Sequence, residues 1–180
     1  GTEITKHRPG FISAMPQLAV ITLCMFALHM LGLTDDRKNL PPAVKLAAQF
    51  LVAFIAASLA NVRVELFIQN KAVTTLLSTL WIVVIINCFN FLDNMDGLSA
   101  GIGLIVTCVL FTAAAVSGQL FIGALALVTA GALAGFLVFN FPPAKIFMGD
   151  AGSYVVGFLI ATITLRTTYY QQAASAGLFA

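Results

Sequence analysis

Charged side chains are scarce in this 180-residue chain, where Asp, Glu, Lys and Arg make up 9% of the residues and hydrophobic residues 60%. The mean hydropathy of +1.00 is far above the range of soluble domains. Nine basic and seven acidic residues leave a net charge of only +2, so no strong positive field indicates nucleic-acid binding. The composition therefore predicts an integral membrane protein and excludes a soluble globular domain.

Cysteine and histidine are also rare. Cys24, Cys88 and Cys108 lie in or beside apolar runs without metal-site spacing and are interpreted as free thiols. The two histidines, His7 and His29, fall on no clear catalytic motif, and no G-x-S-x-G, P-loop or dinucleotide fingerprint is present. The sequence thus gives no support to a Ser-His-Asp triad or to those two nucleotide-binding folds.

Long apolar runs separate the polar segments, and each is long enough to cross a bilayer as a helix. Residues 1–13 are polar and predict a loop. Alternating apolar and polar residues from Asn61 to Asn70 predict a small β-hairpin outside the membrane. The sixth run is the weakest because Thr162, Thr164 and Arg166 interrupt it. The pattern predicts an all-α polytopic membrane protein with about six transmembrane helices, at about 14–33, 44–60, 73–89, 98–116, 120–139 and 154–170.

The acidic residues concentrate on one side of the predicted membrane. Because successive spans alternate in direction, the segments after spans one, three and five lie on the same side. Each acid also has an ordinary structural interpretation, as a solvated residue at a helix end or as a helix cap, but together they are less easily explained in this way. Those three segments hold five of the seven acidic residues: Asp35, Asp36, Asp93, Asp96 and Asp150.

Three acidic segments on one membrane face suit a hard divalent cation together with a phosphate substrate. Mg²⁺ takes oxygen ligands, usually one or two carboxylates completed by phosphate oxygens and water. A remaining acid could orient or deprotonate a nucleophile, and Lys45 and Lys145 on the same side could hold phosphates. The pattern favours phosphoryl transfer onto or from a lipid.

Two rival classes fit less well. A transporter or channel that binds a permeating cation would carry its acids within the spans near the bilayer midplane, whereas these acids lie at span ends. A CDP-alcohol phosphotransferase would need a longer acidic signature on adjacent helices.

Four segments resemble the polyprenyl-phosphate N-acetylhexosamine-1-phosphate transferases, which are similar to the phospho-MurNAc-pentapeptide translocase. They cover nearly the whole chain in the family's order, at 33–36 (LTDD), 42–49 (PAVKLAAQ), 87–98 (NCFNFLDNMDGL) and 140–153 (NFPPAKIFMGDAGS). The resemblance implies that a UDP-N-acetylhexosamine gives its sugar-1-phosphate to undecaprenyl phosphate and releases UMP. It also implies a need for Mg²⁺, with Mn²⁺ as the alternative ion, and a role in O-antigen, enterobacterial common antigen or teichoic-acid synthesis.

The resemblance also assigns roles position by position. Asp35 would contact or deprotonate the lipid phosphate with Asp36 beside it, and Phe147 would stack on the uracil. The implied catalytic residues are Asp35, Asp36 and Asp93, the metal ligands Asp150 and Asp93, and the substrate-binding residues Lys45, Asn90, Asp96 and Phe147.

The family context also sets expectations for location and extent. It implies the bacterial cytoplasmic membrane with the acidic loops cytoplasmic, and a homodimer is left open. Basic residues divide four against five between the two sides, so the positive-inside rule does not decide the orientation. The chain starts at Gly1, lacks the family's first spans and stops before its His- or Arg-rich loop, so we expect a fragment. The short loop after Asp36 favours the N-acetylglucosamine type over the pentapeptide translocase, which stays the alternative.

Overall fold

The structure, a computed structural model, describes residues 2–60, 62–63 and 70–167, with side chains from Met15 onward. These residues form six helices and no strand, which confirms the predicted all-α fold. The predicted hairpin falls on residues 61–70, most of which lie outside the described residues, so it stays a prediction. The helices are α1 (Thr2–Lys38), α2 (Pro42–Leu59), α3 (Lys71–Leu92), α4 (Leu98–Val116), α5 (Leu120–Asn140) and α6 (Gly149–Thr167).

Five segments of the described chain are long and apolar enough to cross a membrane, namely Met15–Lys38 within α1 and the whole of α2, α3, α4 and α5. Helix α6 is not among them. It carries Asp150 and Arg166, and polar residues such as Ser153 and Thr162 on it are fully buried inside the bundle. The protein is therefore a polytopic membrane protein in which α6 is enclosed by the other helices.

Helix α1 extends beyond the predicted span at both ends. The loop predicted for residues 1–13 is wrong for residues 2–13, which are helical, and the helix continues through Asp35 and Asp36 to Lys38. Hydropathy marks the part of a helix that suits the bilayer, whereas the helix ends where its backbone hydrogen bonds end. That end comes at Asn39, which has a φ of 51°, and α2 begins at Pro42.

The core of the bundle joins α1, α2, α3 and α6. Leu28, Ala56, Ile86 and Phe158, one from each of these helices, are completely buried in a single cluster. Gly157 lets α6 lie directly on α3, since a Cβ atom there would stand 2.7 Å from the Cα atom of Ile86. Helices α4 and α5 pack on each other and reach α6 through a second, smaller cluster. Helix α6 thus contacts α1, α3, α4 and α5.

Candidate active site

The amino end of α6 is capped by acids from two other helices. The backbone N–H groups of Asp150 and Ala151 donate to Asp36 Oδ1 and Oδ2, at 2.9 and 3.2 Å. The N–H of Gly149 donates to the carboxylate of Asp93. The first N–H groups of a helix lack partners within it, and negative groups are favoured there by the helix dipole. Because the last turn of α1 and the residue that follows α3 supply these caps, the side chain of Asp150 is left for other contacts.

Asp35 is a buried carboxylate, 3% exposed, in the last turn of α1. Its Oδ2 accepts from Lys45 Nζ at 2.6 Å and from the Tyr154 hydroxyl at 3.0 Å. Its Oδ1 accepts from the backbone N–H of Leu40 at 2.9 Å. A buried charge is tolerated only when it is paired and hydrogen-bonded, and all of these donors are in place. Asp35 therefore holds Lys45 at the start of α2.

The carboxylate of Asp150 lies on the other side of Lys45, with 3.9 Å between Lys45 Nζ and Asp150 Oδ2. Asn90 Nδ2 donates to Asp150 Oδ1 at 2.5 Å and to the Ser153 hydroxyl oxygen at 3.1 Å. The side chains of Lys45 and Asp150 are 25% and 28% exposed, unlike that of Asp35. We call Asp35, Lys45, Asn90 and Asp150 the acid–lysine cluster. Its accessible groups are one ammonium and one carboxylate, side by side.

Negative charge is crowded around this cluster. The pKa of Asp93 is raised to about 6, first by burial and also by the charges of Asp150 and Asp36, while the hydrogen bond from Gly149 opposes the shift. The pKa of Asp150 is also raised, first by burial and then by the neighbouring Asp35. Of the four aspartates in this region, Asp35 and Asp150 lie beside Lys45, so a bound cation would relieve the repulsion that the others add.

The donor chemistry fits a metal ion that is shared with a substrate. In the described part of the chain, no group of three or more His, Cys, Asp or Glu side chains is arranged to hold a metal on its own. Mg²⁺ is usually held by only one or two carboxylates, with phosphate oxygens and water as its other ligands. Asp150, which lies beside the ammonium of Lys45, and Asp93 carry hard carboxylate oxygens of the kind such a partial set needs.

Asp96 and Phe147 lie in the loops beside the cluster. Asp96 Oδ2 accepts from the N–H of Ala144 at 2.9 Å, and Asn140 Oδ1 accepts from the N–H of Gly97 at 3.0 Å. These two bonds tie the α3–α4 turn to the α5–α6 loop. The ring of Phe147, in the same loop, is 76% exposed. Asp96 therefore supports the loop that presents Phe147.

The structure brings together residues that the sequence analysis did not connect. Tyr154, which donates to Asp35, and Ser153, which accepts from Asn90, were not predicted as site residues. The four-residue spacing of Asp150 and Tyr154 on one helix face is a signal for the first of these. The pairing of Tyr154 with Asp35 spans 119 residues, and no local pattern indicates it.

The chain is similar in sequence to proteins of a known family. The family model described as "Glycosyl transferase family 4" matches residues 18–168. The chain is 34% identical to a probable undecaprenyl-phosphate N-acetylglucosaminyl 1-phosphate transferase of Bacillus subtilis, over 85% of this chain and 45% of the relative. An undecaprenyl-phosphate alpha-N-acetylglucosaminyl 1-phosphate transferase of Thermotoga maritima is 33% identical, over 89% of this chain and 46% of the relative.

A member of the second branch is also similar. The phospho-N-acetylmuramoyl-pentapeptide-transferase of a Thermoanaerobacter species is 32% identical, over 83% of this chain and 53% of the relative. The chain thus spans about half the length of the curated relatives it matches. The family match covers most of the chain and every residue of the acid–lysine cluster, and it confirms the resemblance seen in the sequence motifs. The chain belongs to glycosyl transferase family 4.

Proposed function

We propose that the protein transfers N-acetylglucosamine-1-phosphate from a UDP-sugar to undecaprenyl phosphate and releases UMP. The observation that carries the proposal is the placement of Lys45 between Asp35 and Asp150 where α1, α2 and α6 meet at a membrane face. An ammonium beside accessible carboxylates suits a phosphate on a lipid and a diphosphate on a soluble donor. Two relatives whose names carry undecaprenyl phosphate and N-acetylglucosamine support this choice, and the pentapeptide transferase is the second candidate.

Lys45 is the group that we assign to phosphate binding. Its ammonium is held by the buried Asp35, so little side-chain freedom is lost when a phosphate binds. A phosphate monoester has a second pKa of about 6 and is mostly a dianion at neutral pH. The lipid phosphate therefore needs little deprotonation, and the principal work of Asp35 is to position Lys45.

Asp150 and Asp93 are the residues that we assign to Mg²⁺, with Mn²⁺ as the alternative. When bound there, the ion would offset the charge of the donor diphosphate and of the departing UMP. Asn90 donates to Asp150 and so orients its carboxylate, as outer hydrogen bonds orient ligands in metal sites.

The nucleotide-sugar is assigned to the loop side of the cluster. The exposed ring of Phe147 is available to stack on uracil, and Asp96 holds the α5–α6 loop through Ala144. We place the protein in the bacterial cytoplasmic membrane with this face in the cytoplasm, where UDP-sugars are made. A homodimer stays a prediction.

The test is UMP release by the full-length protein in detergent, with undecaprenyl phosphate and UDP-N-acetylglucosamine. We expect release that needs both the lipid and Mg²⁺, and that falls by about 100-fold or more in Asp150→Asn, the order of loss seen when a group that stabilises developing charge is removed. Lys38→Gln removes an exposed charge near the end of α1 and is expected to leave the rate unchanged.

Substituting UDP-MurNAc-pentapeptide as the donor separates the two branches. Release with that donor alone would replace the proposed substrate by the second candidate. No release with either donor from folded protein would contradict the transferase proposal.

A further inference from the structure

One face of α1 seats the first turn of α6. His29, Gly32 and Asp36 occur at spacings of three and four, which place them above one another on the same side of the helix. All three contact Asp150 or Ala151. His29 Nδ1 lies 3.2 Å from the carbonyl oxygen of Ala151, and because a carbonyl only accepts, the nitrogen is the donor. The imidazole is in the Nδ1–H form in this contact.

The polar contacts of His29 and Asp36 hold the same short stretch of backbone, one through its carbonyl group and the other through its N–H groups. Asp36 accepts from the N–H groups of Asp150 and Ala151, and His29 donates to the C=O of Ala151. Gly32 lies between them, and a Cβ atom there would overlap the carbonyl of Asp150. The first turn of α6 is thereby fixed against α1 by side chains that belong to α1.

We call the contacts of His29, Gly32 and Asp36 with the first turn of α6 the α6 seat. The seat affects the acid–lysine cluster because α1 also carries Asp35, which holds Lys45. His29, Gly32 and Asp36 meanwhile hold the main chain of Asp150 and Ala151. The distance between Lys45 and Asp150 is therefore set by one helix acting on both partners. A displacement of about 1 Å at a reacting group can cost about 100-fold in rate, so such a constraint has a functional consequence.

We propose that His29 is a positioning residue that, with Gly32 and Asp36, sets the carboxylate of Asp150 relative to Lys45. The effect on turnover rests on the proposed function, whereas the effect on α6 does not. His29 touches no group assigned to substrate or metal and acts through the backbone of Ala151.

The first arm of the test measures the backbone without any substrate. Hydrogen–deuterium exchange is followed in peptides that cover residues 149–154 of the full-length protein in detergent. We expect about 10-fold faster exchange in Asp36→Ala, which removes both acceptors, and a smaller increase in His29→Leu. Thr22→Ala is the control, since the Thr22 hydroxyl donates to the Leu18 carbonyl of its own helix, at 2.8 Å. Exchange at 149–154 that is the same in all three variants would overturn the proposal.

The second arm measures kinetics and uses a conservative rescue. The Nδ2 of an asparagine can replace the Nδ1–H of histidine, so His29→Asn keeps the donor that His29→Leu loses. We expect His29→Leu to lower kcat about 10-fold and to raise the Mg²⁺ concentration for half-maximal rate, with little change in the KM for the lipid. His29→Asn is expected to recover most of the loss, and equal losses in the two variants would overturn the role of this hydrogen bond.

The two arms separate the two proposals. A protein that releases no UMP with any donor, yet shows the exchange pattern above, would contradict the transferase proposal and retain the seat. A protein with normal turnover in His29→Leu and unchanged exchange would retain the transferase and contradict the seat.

Discussion

At the scale of single residues, the four aspartates near the start of α6 have different surroundings. Asp35 is buried and paired with Lys45, Asp36 caps α6, and Asp150 is partly exposed beside Lys45. Asp93 accepts from Gly149 but faces the charges of Asp150 and Asp36, and its pKa is raised to about 6. A carboxylate with a raised pKa at a cleft is a candidate for a functional role, because its charge costs stability until a ligand compensates it.

The raised pKa of Asp93 predicts a pH-dependent stability. The folded protein binds this proton more tightly than the unfolded chain, whose value is 3.8, so the contribution of Asp93 to stability falls as the pH rises from about 4 to 6. Asp93→Asn keeps an oxygen for Gly149 and removes the charge. We therefore expect Asp93→Asn to have a higher Tm than the wild type above pH 6, without divalent cations, and the same Tm near pH 4.

Thermal unfolding in detergent at a series of pH values measures this difference. A Tm gap between the two proteins that does not change with pH would show that the charge of Asp93 is not the cause.

At the scale of secondary-structure elements, α6 is the helix on which the site depends. It carries Asp150 and Tyr154 in its first two turns and contacts four other helices. Its close approach to α3 relies on Gly157, since the nearest atoms to a Cβ there belong to the main chain of Ile86 and Ile85 and cannot move aside as a side chain can. Site geometry and helix packing are thus coupled through this one element.

The contact between α6 and α3 predicts the effect of a single methyl group. Gly157→Ala forces the two helices apart and is expected to cost about 1–3 kcal/mol in the free energy of unfolding, as overpacking of a core does. Gly131→Ala in α5 is the matched control, because no atom lies within 4 Å of a Cβ at that position. There the substitution is expected to stabilise the helix by about 0.5–1 kcal/mol.

The measurement is the Tm of the two variants and the wild type in the same detergent. Equal Tm values for Gly157→Ala and the wild type would mean that the α3–α6 contact is looser than the structure shows.

At the scale of the whole molecule, the alternation of the helices places the three segments that hold the aspartates at one end of the bundle. The bond from Gly97 to Asn140 joins α4 to the end of α5, and Lys45 joins α2 to α1, on the same face as Asp150. The turn at Ser117 between α4 and α5 lies at the opposite end. The proposed orientation puts the first face in the cytoplasm.

Cysteine labelling tests that orientation. In full-length protein with Cys24, Cys88 and Cys108 changed to Ser, a membrane-impermeant maleimide is applied to intact cells. We expect Ser117→Cys to be labelled and Lys145→Cys to be protected until the membrane is permeabilised. The reverse pattern would place the acidic face outside the cytoplasm and remove it from a cytoplasmic nucleotide-sugar.

Several parts of the site were readable from the sequence. The apolar runs predicted the six helices, five of which are long and apolar enough to cross a membrane, and the expectation that Asp35, Asp93 and Asp150 share one face followed from counting crossings. The motifs also pointed to Lys45 and Asn90, which the structure places against Asp35 and Asp150. The ends of α1 were not readable, because hydropathy does not report where backbone hydrogen bonding ends.

The membrane class, the helix count and the family follow from the sequence alone, since hydropathy and short motifs are local properties of the chain. Only the tertiary structure determines which partner each aspartate contacts. That Asp36 caps α6, that Tyr154 donates to Asp35 and that His29 holds Ala151 are contacts between residues more than 110 positions apart. They depend on the angle and depth at which α6 packs against α1, which the glycines at 32 and 157 permit and which no local pattern specifies.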